Sequence, residues 1–381
     1  MTLFKPPHDF LTESGRRLGP ITVAYETYGH LNEAGTNAIL ICHALTGDAH
    51  AAGSYTGDDV LPGWWDGLIG PGKAFDTDHY FVVCSNVLGG CQGTTGPSSV
   101  NPATGRPYGT DFPIVTIRDM VRVQRELLRH LGVNQLVCVA GGSMGGMQVL
   151  EWGVMFPGFM QSIIPIAVSA FSTPQQIAYN YAGRYAIMSD PAWQNGNYYP
   201  GPGPVHGLIT ARAIGTITYK TDATWLTRFG RRLQYGDSDP YQWGTKFAIE
   251  SYLEYQGHSL IKRFDANSYL YLTRAIDLYD LGRDGTPEGW KNALTRVTAS
   301  SLVISINSDI LYPPYQQEAI AETLAKKGKD VTYYELDSPY GHDAFLIEFA
   351  VLDRVIGAFL KRIQRSCEKP MNSEINTASL A

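Results

Sequence analysis

The stretch Gly141-Gly142-Ser143-Met144-Gly145-Gly146 constrains this chain more than any other. It stands between an apolar run, Leu136-Val137-Cys138-Val139-Ala140, and a helix-like stretch, Met147-Gln148-Val149-Leu150-Glu151-Trp152. Read as strand, sharp turn and helix, it is a Gly-x-Ser-x-Gly elbow, in which a serine on a strained turn lifts its Oγ above the edge of a sheet. Glycines two before and two after the serine let the chain double back where a Cβ would collide. The helix behind it aims N-terminal N–H groups at the site and favours negative charge there. The alternative is a glycine-rich connection in any α/β domain; the flanking strand and helix favour the elbow.

The rest of the chain alternates strands and helices in a way that suits such a turn. Residues 37–42, 80–84, 162–167, 301–306 and 331–336 read as further buried strands, and 21–25 as a short strand in an irregular lead-in. Thr116 caps a helix with Ile117, Val121, Leu128 and Leu131 on its apolar face, Asp119 in its first turn and Gly132 after its end. Apolar strands separated by helices imply a mainly parallel sheet covered by helices on both faces. From 171 to 280 the texture changes: Tyr and Trp become frequent, polar helical stretches dominate and buried-strand runs disappear. The expected organisation is a core of residues 1–170 and 281–365, a helical lid insertion at 171–280, and a polar tail at 366–381 without fixed structure. The last helix is expected over about 344–363. Residues 88–97, built of turn formers, read as a mobile loop without Walker or Rossmann spacing.

Composition narrows the function. A formal net charge of −6 gives no electrostatic case for nucleic acid or an anionic membrane, and no apolar run is long enough to span a bilayer. The five cysteines form no Cys-x-x-Cys pair, and three (Cys42, Cys84, Cys138) lie in strand-like runs, which suggests reduced thiols and a cytoplasmic protein. Cys91 reads as a structural loop cysteine, since nothing local lowers its pKa. His43, Asp48 and His50 fit no common zinc spacing, so no metal is expected.

A serine nucleophile needs a base, and the base needs an orienting carboxylate. Asp309 follows the strand at 301–306, and His342 follows the strand at 331–336, so both sit at carboxyl ends of strands on the edge where Ser143 lies. The chain order Ser, Asp, His is that of the α/β-hydrolase fold. His342 is then expected to take the Ser143 proton while Asp309 fixes the imidazole. The backbone N–H groups of Met144, after the serine, and Leu45, in the loop after an early strand, are the expected oxyanion hole.

Four segments carry a wider resemblance: Cys42-His43-Ala44-Leu45-Thr46-Gly47-Asp48-Ala49-His50, the Gly-Gly-Ser-Met-Gly-Gly-Met-Gln run at 141–148, Phe264-Asp265-Ala266-Asn267-Ser268-Tyr269-Leu270, and Gly341-His342-Asp343-Ala344-Phe345-Leu346. Over roughly residues 10–362 the chain resembles the homoserine O-acetyltransferase family of methionine biosynthesis. The resemblance implies that Arg212, in the lid segment 207–215, binds the homoserine carboxylate, with Tyr219 one helical interval beyond, and that Asp343 binds the amino group. An amino-acid substrate does need a fork-shaped cation and an anion at its two ends. The resemblance also implies acetyl-CoA as co-substrate with no permanently bound cofactor, and a homodimer through the lid helices. Succinyl-CoA as donor, or serine as acceptor, would suit the same scaffold; Met144 and Glu151 resemble the acetyl-using members. A plain serine esterase and a non-catalytic binding module are the other readings, and the complete triad speaks against the second.

Overall fold

The computed structural model describes residues 1–55, 62–236, 239–283, 285–286 and 288–368. Seven strands form its central sheet: β1 (Tyr25–Tyr28), β2 (Ala38–Cys42), β3 (Phe81–Ser85), β4 (Leu136–Gly142), β5 (Met160–Ile166), β6 (Ser300–Ile306) and β7 (Val331–Leu336). They lie in the order β7-β6-β5-β4-β2-β3-β1. Every neighbouring pair is parallel except β1 with β3, so β1 is an antiparallel edge. This is the mainly parallel sheet that the strand pattern implies.

The five inner strands are largely apolar because both of their faces are buried, whereas the edge strands β1 and β7 carry polar, partly exposed residues, so 331–336 is not the buried strand its sequence suggested. Along β2, Ala38, Leu40 and Cys42 enter one core while Ile39 and Ile41 enter the other. The first core lies under α1 (Ile117–His130), α2 (Met144–Met155) and α9 (Pro314–Lys326). The second lies under Trp65, Phe75 and α10 (Phe349–Glu368). Each fully buried Ile, Leu or Val contributes about 1.5–3 kcal/mol, and this fixes the register of the strands whose ends carry the site. At the start of α1, Thr116 and Asp119 form a reciprocal capping box: the Asp119 N–H donates to Thr116 Oγ1 (3.3 Å) and the Thr116 N–H to Asp119 Oδ2 (3.1 Å).

Between β5 and β6 the chain makes α3 (Pro174–Ser189), α4 (Val205–Thr218), α5 (Asp222–Arg228), α6 (Ala248–Ile261), α7 (Ala266–Asp277) and α8 (Gly289–Leu294). The neck of this excursion is a short antiparallel pairing of Phe171 with Asp280. There the Ser172 N–H donates to the Tyr279 carbonyl (2.9 Å) and the Leu281 N–H to that of Ala170 (3.0 Å). The chain thus leaves and re-enters the core at adjacent points.

Several local expectations are corrected. The strand expected at 21–25 divides at Val23: Ile21–Thr22 pairs with Thr2–Leu3, and Tyr25–Tyr28 joins the main sheet. The last helix starts at Phe349 rather than Ala344, because Gly341–Leu346 forms a separate 3₁₀ turn. It also continues to Glu368, so residues 366–368 of the expected tail are helical, and 369–381 lie outside the described residues. The segment 88–97 is packed rather than loose. Thr94 Oγ1 accepts from the Ala24 N–H (3.0 Å) and donates to the Asn86 carbonyl (2.9 Å), and Thr95 Oγ1 accepts from the Thr22 N–H (2.8 Å).

Candidate active site

Ser143 joins β4 to α2 with φ 58° and ψ −126°, a left-handed conformation that costs energy for a residue with a Cβ. The elbow glycines have a concrete cause. A Cβ on Gly141 would stand 2.5 Å from the Cys42 carbonyl oxygen, and one on Gly145 only 2.1 Å from it. The end of β2 therefore runs against the elbow, which is how the loop holding Leu45 comes to lie beside Ser143.

That loop is tied to α2 by buried side-chain amides. The Trp152 indole donates to Gln124 Oε1 (2.8 Å), Gln124 Nε2 donates to Gln148 Oε1 (2.7 Å), and Gln148 Nε2 reaches the carbonyls of His43 and Met144 (3.2 Å each). His43 Nε2 accepts from the Val87 N–H (3.1 Å), which leaves its Nδ1–H to donate to the Ala44 carbonyl (2.8 Å). Burial pushes the His43 pKa down, so this imidazole is a neutral brace. Among the described residues neither the Leu45 nor the Met144 N–H has a hydrogen-bond partner, as two donors awaiting an oxyanion would require.

Asp309 and His342 meet past the ends of β6 and β7. Asp309 Oδ1 accepts from the N–H groups of Leu311 (2.8 Å) and Tyr312 (2.9 Å), and its Oδ2 lies 2.6 Å from His342 Nδ1. The ring of His342 stacks on Tyr312, with centroids 5.0 Å apart, and meets Phe345 edge-on at 5.6 Å. His342 Nε2 is buried and has no partner among the described residues. Ser143 and His342 line one cavity of about 150 Å³ together with Leu45, Arg212, Tyr219 and Asp343. A smaller cavity of about 40 Å³ on another side of Ser143 is lined by Leu45, Gln176, Asn180, Tyr219, Leu311 and Tyr312 among others.

Of the residues expected at the site, Leu45, Ser143, Arg212, Tyr219, His342 and Asp343 line these cavities, Asp309 reaches them through His342, and the side chains of Met144 and Glu151 line neither. Glu151 is fully buried on α2 and bonded by Arg118 (2.7 Å) and Arg283 (3.2 Å), so it anchors the helix behind the elbow. Arg212 projects from α4. Its Nη2 donates to Gln256 Oε1 on α6 (3.4 Å), its Nε is buried with no partner among the described residues, and its guanidinium lies 5.9 Å from the Tyr219 ring centroid. Tyr219 follows α4 and folds back over Gly215, where a Cβ would stand 2.9 Å from its hydroxyl. Burial raises the pKa of that hydroxyl, so it stays protonated.

Sequence reasoning missed Lys220, whose Nζ lies 2.7 Å from Asp343 Oδ2, and the amide relay through Gln124 and Gln148. The relay spans about a hundred residues of chain and leaves no periodic signal. Lys220 had only its position after Tyr219 to mark it. Among the described residues no group of His, Cys, Asp and Glu could hold a metal ion, and no helix is long and apolar enough to cross a membrane.

Comparison with known proteins places this geometry among relatives. A family profile described as alpha/beta hydrolase fold matches residues 37–349. The homoserine O-acetyltransferase of Moorella thermoacetica is 56% identical over 357 residues, covering 92% of this chain and 93% of its own. The crystal structure of homoserine O-acetyltransferase from Bacillus anthracis superposes with a TM-score of 0.88 at 33% identity, covering 95% of this chain and 96% of that one. The crystal structure of esterase E22 does so with a TM-score of 0.86, also at 33% identity, covering 94% and 98%.

Proposed function

Because this chain belongs to the homoserine O-acetyltransferase family within the α/β-hydrolase fold, we propose that it transfers an acetyl group from acetyl-CoA to the γ-hydroxyl of L-homoserine through an acyl-Ser143 intermediate. Ser143 Oγ attacks the thioester carbonyl and gives its proton to His342 Nε2. The tetrahedral oxyanion is held by the N–H groups of Leu45 and Met144, at about 3–4 kcal/mol per donor. It collapses with loss of CoA, whose sulfur takes the proton from Nε2. The homoserine hydroxyl then gives its proton to Nε2 and attacks the acyl carbon, and Ser143 Oγ leaves and recovers the proton. Asp309 holds Nδ1–H throughout and stabilises the imidazolium.

The observation that carries this reading is one cavity that joins Ser143 and a His342 braced by Asp309 to a cation, Arg212, and an anion, Asp343. Hydrolysis needs no such charge pair, whereas a zwitterionic acceptor is met at both ends by it. Arg212 takes the carboxylate, Asp343 the ammonium, and Tyr219 forms the wall between them. Exposed aromatics in the insertion, including Tyr181, Tyr185, Tyr255 and Trp243, support a homodimer through that region. Buried strand cysteines support a reducing, cytoplasmic setting.

The likeness to esterase E22 favours one second reading, hydrolysis of small acetyl esters with water as acceptor. A single experiment separates the two. Purified protein is offered acetyl-CoA or succinyl-CoA with homoserine, serine or water alone, and free thiol is followed. Transfer predicts fast release only with acetyl-CoA and homoserine together; equal release with and without homoserine sinks it in favour of hydrolysis.

A further inference from the structure

Lys220 is a buried cation that the reaction above does not use. It is 9% exposed and follows Tyr219 directly, at the end of α4. Its Nζ lies 2.7 Å from Asp343 Oδ2, and it is the one side chain that bonds this carboxylate among the described residues. Asp343 lines the cavity beside Ser143 and Arg212, whereas Lys220 does not. The lysine therefore stands behind the carboxylate, off the cavity lining.

The surrounding chain holds that arrangement in place. The Asp343 N–H donates to the Tyr219 carbonyl (3.2 Å), and the hydroxyls of Thr221 and Thr224 donate to the Pro339 carbonyl (2.5 and 2.7 Å). Gly341 lets these segments touch: its φ is +66°, and a Cβ there would stand 2.9 Å from the Tyr219 carbonyl oxygen. The end of α4 is thus stitched to the loop that carries both His342 and Asp343.

We propose that Lys220 is a positioning residue for the acceptor: it fixes Oδ2 of Asp343 so that Oδ1 is presented to the substrate ammonium. This rests on the reading of Asp343 as the ammonium anchor. A carboxylate held at one oxygen by a buried ammonium keeps its plane and its reach, while an unheld one rotates. Because charge-assisted hydrogen bonds depend on that aim, a misdirected oxygen loses much of the contact.

The test uses the full chain with Lys220→Met, Lys220→Arg, Lys220→Gln and Asp343→Asn. Rates are normalised to the amplitude of CoA release from acetyl-CoA without acceptor, which counts folded, acylating sites. The readout is kcat/KM for homoserine divided by that for 4-hydroxybutyrate, which keeps the hydroxyl and carboxylate but lacks the ammonium. Lys220→Met should lower this ratio by about tenfold or more, the size of one misaimed charged contact, chiefly through KM for homoserine. Lys220→Arg should restore most of it. A ratio within about twofold of the parent, or one that rises because the lysine was competing with the substrate, overturns the proposal. So does equal loss with both acceptors. Lys220→Gln supplies the same ratio if the Met variant does not fold. Asp343→Asn separates the two layers: if it too leaves the ratio unchanged, the ammonium-anchor reading fails, and if it alone collapses the ratio, only the role of Lys220 fails.

Discussion

Replacing Asp309 by Asn tests the triad without disturbing the fold, and the structure says why. The N–H groups of Leu311 and Tyr312 both point at Asp309 Oδ1 (2.8 and 2.9 Å), and two donors can be met only by an oxygen. An asparagine must therefore keep its carbonyl there and turn its NH₂ toward His342 Nδ1, 2.6 Å from Oδ2 in the parent. That NH₂ donates, so Nδ1 becomes the acceptor and the ring proton moves to Nε2. A ring protonated at Nε2 cannot accept the Ser143 proton. Inverting a tautomer in this way costs about 10⁴ in rate, or about 5 kcal/mol of barrier at 1.36 kcal/mol per decade. Stability should change by no more than about 1 kcal/mol, because each hydrogen bond is replaced by another. Asp309→Ala instead leaves two buried N–H groups unpaired, at about 1–3 kcal/mol each. The assay is CoA release in a single turnover, with urea midpoints for all three proteins. An Asn variant faster than about a tenth of the parent would refute the tautomer argument. An Ala variant as stable as the Asn variant would refute the account of Oδ1.

Three further outcomes are expected. Incubation with acetyl-CoA and no acceptor should add an acetyl mass to the peptide carrying Ser143, Ser143→Ala should abolish it, and mass on Cys91 instead would remove the mechanism. Arg212→Ala should still form acyl-Ser143 while transfer to homoserine falls by orders of magnitude and slow hydrolysis becomes the main exit; parental transfer would assign the carboxylate to another cation. Burial pushes the Cys91 thiol up to about 11 against a lowering bond from the Asp265 N–H, so its thiolate grows as pH rises. Iodoacetamide labelling in the folded protein should then be slow at about pH 8 and climb about tenfold per pH unit toward 11, with fast labelling at neutral pH as the contrary result.

What could be read from the sequence follows from where each constraint resides. The elbow was legible because its requirements fall in one short stretch: the apolar strand before Ser143, the glycines at 141 and 145, and the helix after it. Asp309 and His342 were legible because each follows an apolar strand, and parallel strands bring their carboxyl ends to one edge. The 3₁₀ turn at Gly341–Leu346 was not, since Phe345 stands at helical spacing from Phe349 and Leu352 and so extends the pattern of α10 backward across it. Arg212 and Asp343 carry no local signal, and only the family resemblance marked them. Lys220 and the Gln124–Gln148 relay were invisible for a related reason. Their partners lie far away in the chain, and a single polar residue on a helix reads as solvated until the other side of the contact is known.

Acyl transfer on this scaffold has to beat water, and the distribution of these contacts bears on how it does so. An acyl-enzyme meets bulk water at about 55 M, while well-oriented groups act at effective molarities of about 10⁵–10⁸ M. An acceptor pinned at both ends therefore wins, provided its two anchors hold a fixed distance from the base. Here one proposed anchor, Arg212, lies on α4 in the excursion between β5 and β6, while the other, Asp343, is adjacent to His342 beyond β7. Rigid placement of all three requires a link between the two parts of the chain close to the reacting atoms. The stitches from Tyr219, Lys220, Thr221 and Thr224 to Pro339 and Asp343 are such a link, a few residues beyond Arg212 on one side and flanking His342 on the other. The neck at Phe171 and Asp280 restrains the insertion where it joins the core, at chain positions remote from both Arg212 and His342. Loosening the stitches should thus harm the second half-reaction more than the first, since acylation as proposed uses Ser143, His342, Asp309 and the oxyanion donors and neither Arg212 nor Asp343.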